Sequence, residues 1–75
     1  MSDLSEKTLS VAVHYLGPAA KVFLDRQTRA HMQGLAFETL EKKHLPELSK
    51  WVVISASLVI DKAKAAELGD KIGRL

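Results

Sequence analysis

The dipeptide Gly17-Pro18 constrains this chain more than any other pair of residues in it, because it separates two segments of helical apolar periodicity. Glycine just past a helix end takes left-handed backbone without a Cβ penalty. Proline at the first position of the next helix gives up an N–H that would have no partner there anyway. The pair reads as a tight corner: one helix stops and another starts at once. Before it, Leu9, Ala12, Val13 and Leu16 fall at i, i+3, i+4 and i+7 and form one stripe. Asp3, with Glu6 three residues later, has the spacing of a capping box. Asp3 is therefore expected to cap a first helix that runs to about Leu16.

The second helix is expected from Pro18 to about Gln33, closed by Gly34. Ala19, Val22, Phe23, Gln27 and Ala30 mark its inner face; Lys21, Asp25, Arg26 and Arg29 point outward, with Asp25 and Arg29 at ion-pair spacing. A short third helix over residues 36–44 would turn Phe37 and Leu40 inward, with Leu45 following. Leu45-Pro46 breaks it, since the residue before proline is pushed out of the α region. Pro46 then opens a fourth helix that holds Leu48, Trp51, Val52, Ile54, Ser55, Leu58 and Val59. Apolar nearly all round, that helix is expected to be the central one. Val52-Val53-Ile54 would also suit a strand on propensity, but no other segment reads as its partner. A last helix over about residues 62–74 carries Ala63, Ala66, Leu68 and Ile72 inward, with Leu75 following. Glu67–Lys71 and Asp70–Arg74 are spaced as i,i+4 pairs. Gly69 and Gly73 are expected to weaken this helix by about 1 kcal/mol each. The expected fold is all-α, a single compact bundle of four to five short helices forming one domain over residues 1–75.

At 75 residues the core must be thin, since a chain this short buries only about 60–65% of its unfolded surface. Self-association is a natural way to strengthen it. With no cysteine, disulfides, thiolate metal sites and cysteine nucleophiles are excluded. The acidic, polar start (MSDLSE) lacks the basic and apolar regions of a signal peptide. The longest apolar run, residues 51–60, is half of what a bilayer span needs and is interrupted by two serines. A cytoplasmic protein without membrane contact is the expectation.

The candidate sites are few. His14, His31 and His44 fall on three different segments without an HxxxH or HxxH pair, so no metal is expected. The carboxylates sit at helix starts or beside bases, where solvated helix faces account for them. No phosphate-binding loop, dinucleotide fingerprint, nucleophile elbow or EF-hand loop is present. No catalytic residue and no cofactor is expected, and the chain does not read as an enzyme. Lys21, Arg26, Arg29, Lys42, Lys43 and Lys50 could form a basic patch for nucleic acid. A net charge of only +2 weighs against this, as does a would-be reading helix (WVVISASL) that offers base edges little beyond serines. The expected interaction face is instead Trp51, Val52, Ser55 and Leu58, an apolar surplus for a second copy or a partner helix.

Residues 15–24, YLGPAAKVFL, resemble the YIGPIAKVLV-type motif of a small bacterial helical domain found at the C-terminal end of signalling proteins. Residues 40–46, LEKKHLP, are similar in placement to that family's short helix and proline turn. The similarity covers about the first 45 residues. Ala19 stands where the family has isoleucine, and the apolar run at residues 51–60 departs from its pattern. The resemblance implies an accessory, non-catalytic module in bacterial signalling, with Gly17 and Pro18 shaping the corner and Lys21 exposed. Together these readings point to a protein–protein interaction or regulatory module, with a small nucleic-acid-binding domain as the alternative.

Overall fold

The first helix, α1 (Asp3–Leu16), begins one residue later than its cap, and that cap is Ser2 rather than Asp3. The Ser2 hydroxyl accepts from the Ser5 backbone N–H at 3.1 Å and lies 3.1 Å from the Leu40 carbonyl, to which it donates. The Ser2 N–H donates to the Glu38 carbonyl at 3.0 Å. One serine thus closes the helix and pins its start to the segment around residue 40. Serine is as good a cap as aspartate in isolation; the second anchor, distant in sequence, decides between them. The computed structural model describes residues 2–75.

A 3-10 turn (Gly17–Ala19) follows, and α2 runs over Ala20–His31. Gly17 has φ 63° and ψ −146°, backbone that is nearly exclusive to glycine. The corner is therefore where the dipeptide placed it, although the α-helix starts two residues after Pro18. At its far end α2 stops before Gln33, which has φ 58° and precedes Gly34 at φ 74°.

The expected third helix is absent: two 3-10 turns, Phe37–Thr39 and Lys42–His44, take its place. The chain turns at Leu40, whose ψ of 133° is extended, and this divides the segment into two short turns. Short turns still drive Phe37 and Leu40 into the core, at 0% and 1% exposure. Next, α3 covers Leu45–Ala56 with Pro46 in its first turn, and α4 covers Lys62–Gly73. No strand occurs among the described residues, so Val52-Val53-Ile54 is helical and the fold is all-α.

The helix contacts run α1 to α2, α2 to α3, α3 to α4 and α4 back to α1. The helix expected at the centre, α3, is thus one side of a ring, and its closest pairing is with α4. Leu24, Leu48, Val52, Leu68 and Ile72 meet with Phe37 and Leu40 inside that ring. The Cα radius of gyration, 10.7 Å, is close to the roughly 11 Å of a well-packed chain this long.

The inner faces differ from the apolar stripes in a consistent way. On α1 the fully buried residues are Ser5, Thr8 and Ala12, while Val13 is exposed. On α2 they are Ala20, Leu24, Gln27 and Thr28, while Ala19, Val22 and Ala30 face out. Each buried hydroxyl is satisfied by its own helix: Thr8 donates to the Leu4 carbonyl at 2.8 Å and Thr28 to that of Asp25 at 3.1 Å. A threonine paired in this way packs much like valine. The α4 inner face is Ala65, Leu68, Gly69 and Ile72, with Ala63 and Ala66 exposed.

Gly69 and Ser49 explain how α3 and α4 come so close. A Cβ on Gly69 would overlap Val53 Cγ2 and lie 3.3 Å from the Ser49 carbonyl oxygen. The Ser49 hydroxyl donates to the Gly69 carbonyl at 2.7 Å. The glycine expected only to weaken α4 is what admits the neighbouring helix.

Candidate interaction surface

The corner at Gly17 and the link between α3 and α4 lie side by side and frame an apolar groove of about 310 Å³. Tyr15, Leu16 and Ala19 line it from the corner; Val22, Phe23 and Arg26 from α2; Val59 and Ile60 from the link. Each element is held by backbone chemistry. The Gly17 N–H donates to the Val13 carbonyl and finishes α1. In the link, Leu58 N–H bonds to Ser55, and the Val59 and Ile60 N–H groups both bond to Ala56, at 2.8–3.2 Å. These turns satisfy the backbone, so side-chain burial is not needed to hold the link in shape. Leu58 and Val59 stand 84% and 68% exposed, and Val22 across the groove 61%.

Tyr15 is oriented by α4. Its hydroxyl donates to a Glu67 carboxylate oxygen, and Lys71 Nζ lies 5.3 Å from the ring centroid. The Tyr15 hydrogen bond, with the nearby charge of Lys64, holds the Glu67 carboxyl below its usual range. Glu67 also pairs with Lys71 at 4.0 Å, and Asp70 with Arg74 at 3.0 Å, as their spacing foretold. Asp25, by contrast, pairs with Lys21 at 3.5 Å rather than with Arg29. Lys21 also bonds Glu38 at 3.0 Å, which raises its own pKa and lowers that of the Glu38 carboxyl.

The four residues expected to form one interaction face are separated. Val52 is fully buried in the core. Ser55 is half-buried and donates to Gln27 Oε1 at 2.8 Å, linking α3 to α2. Trp51 is half-buried and stacks on His31, ring centroids 4.2 Å apart and planes 10° from parallel. Leu58 is exposed but lies beyond the end of α3. Residues 51, 52 and 55 belong to one helical sector, and in the packed ring that sector points at α2, not outward. Sequence reasoning missed Val22 and Val59 as surface residues. No sequence signal marks them, because helical periodicity does not show that Thr8 and Thr28 take places in the core.

The remaining candidates are dispersed. Among the described residues, no three of His, Cys, Asp and Glu are grouped to hold a metal. His31 stacks on Trp51, and His44 Nδ1 accepts from the Glu41 N–H at 2.9 Å. A second cleft, about 370 Å³, lies beside these two histidines and is lined also by Met32, Leu35 and Glu47. The basic residues are spread over α2, a 3-10 turn and α3. Lys21 is held by two carboxylates, Lys43 lies 3.7 Å from Glu41, and Lys50 sits 5.0 Å from the Trp51 ring centroid. No helix among the described residues is long and apolar enough to cross a membrane. In comparisons with protein-family models, curated proteins and solved structures, the chain matches none.

Proposed function

We propose that this chain is a non-catalytic interaction or regulatory module that docks a protein on the groove between the Gly17 corner and the α3–α4 link. The observation that carries this reading is the placement of Val22 and Val59, both mostly exposed, on a concave apolar surface whose backbone is already satisfied. Apolar side chains that the fold does not need inside, gathered along a groove, are the usual material of a docking site. The resemblance of residues 15–24 adds the expectation of a bacterial signalling context and a cytoplasmic location, because the groove is built largely from that segment. Because Trp51, Val52 and Ser55 face α2, the residues that would meet a partner are Tyr15, Val22, Phe23, Val59 and Ile60, with Gly17 and Pro18 as the structural turn. A nucleic-acid role has less support, since half of the six basic residues are engaged with carboxylates or with Trp51.

Photocrosslinking in the source cell tests the reading. A crosslinking residue at position 22 and another at position 59 should each yield the same adduct, and Val22→Glu should remove the adduct formed from position 59. Two unrelated adducts, or none, would overturn the groove as the docking site.

A further inference from the structure

We infer that the groove's partner is an amphipathic helix whose polar flank is acidic, rather than a second copy of this chain. The inference rests on the docking reading above and adds the chemistry of the occupant. A second depression, lined by Val22, Asp25, Arg26, Arg29 and Ala30, shares Val22 and Arg26 with the groove. Past Val22 and Arg26 the groove therefore opens onto a track along the outer side of α2 that α2 alone lines. From Ala19 to Ala30 groove and track together span about 16 Å at the α-helical rise, enough for about three turns of a bound helix. Such a helix would read it through apolar residues at i, i+3 or i+4, and i+7.

The charges along the track are unequal. Asp25 is already paired with Lys21 at 3.5 Å, and Glu38, whose carboxyl feels Arg29, is bonded to Lys21 at 3.0 Å. Arg26 and Arg29 form no ion pair among the described residues. Arg26, which lines both depressions, and Arg29, which lines the second, thus put two guanidinium groups on the track that form no ion pair of their own. Carboxylates on the occupant would meet them in bidentate geometry. A second copy would bring to this face the same two arginines and only the carboxylate of Asp25, which Lys21 already holds, so it offers the track less acidic charge than an acidic helix does.

The test uses the full chain and a displayed library of 16-residue helices. Their apolar stripe is fixed, and their polar positions are drawn from Glu, Lys, Gln and Ser. Selected sequences should be rich in Glu. Their synthetic peptides should shift the amide resonances of Val22, Phe23, Val59 and Ile60, and bind at least tenfold more weakly to R26E/R29E. On that double variant the selection should turn to Lys. Binders that map to the groove but show no charge preference would overturn the acidic partner and leave the docking reading standing. No enrichment, or binders that map elsewhere, would overturn both. A dimer in sedimentation equilibrium that V22E abolishes would overturn the inference in favour of a second copy.

Discussion

The contact between α3 and α4 and the groove beside α2 are both built from apolar residues, yet the first is closed and the second open. In the first, Gly69 and the Ser49 hydroxyl let two backbones approach until a single added carbon would overlap Val53. In the second, Val22 and Val59 stand mostly exposed while the smaller or more polar Thr8, Thr28 and Ala20 are buried. The difference shows that burial in a small ring of helices is set by fit. Interior density is near that of a crystal, so where two backbones approach closely, as at Gly69, a small residue fits and a bulky one does not. The bulky residues left outside are then available for a partner.

Substitutions should separate the two regions sharply. Leu24→Ala or Leu68→Ala, both fully buried, should destabilise the chain by about 2–5 kcal/mol. Leu58→Ala should change stability by less than about 0.5 kcal/mol. Chemical denaturation of the three variants measures both ends of the comparison. Equal losses at positions 24 and 58 would mean that the α3–α4 link is packed rather than exposed.

Gly17→Val comes next in size. No atom lies within 4 Å of where its Cβ would be, so the whole effect is backbone strain, about 1–3 kcal/mol. An unchanged melting midpoint would show that the corner relaxes to another conformation. Gly69→Ala is the opposite case, with ordinary helical backbone and no space. Overpacking of about 1–3 kcal/mol there is partly offset by about 1 kcal/mol of helix propensity. The variant should thus lose up to about 2 kcal/mol, and the loss should shrink when Val53→Ala is added. Failure of that rescue would point to the Ser49 carbonyl as the obstacle.

The smallest effect is electrostatic. Lys21 holds the Glu38 carboxyl below its usual value near 4.5. A carboxyl depressed in the folded state stabilises above its unfolded pKa, and that stabilisation disappears as pH falls through the lower folded value. The fall in melting temperature on acidification below about pH 4.5 should therefore be shallower in Glu38→Gln. Because the pair is solvent-exposed, the difference should fade at high salt. Identical acid profiles for the two proteins would remove this pair from the stabilising contacts.

Local chemistry determined much of this protein from its sequence. Gly17-Pro18 makes a corner, because few other residue pairs tolerate that backbone. A helix begins beside Pro46, although Leu45 before it is already helical, and Phe37, Leu40, Leu45, Leu48, Leu68 and Ile72 go inside, since each is apolar with nothing polar to satisfy. Tertiary structure alone decided the rest. Ser2 caps α1 because Leu40 and Glu38, far away in sequence, receive its two donors. Thr8 and Thr28 are buried because the packing of the helices turns them inward, which the bonds of their hydroxyls to their own helices permit. Gly69 serves contact more than flexibility because Val53 lies against it. Val52 and Val59, both valines in the same apolar run, ended at 0% and 68% exposure. Hydrophobicity ranks what prefers to be buried, but which side chains find room depends on how closely the helices can approach.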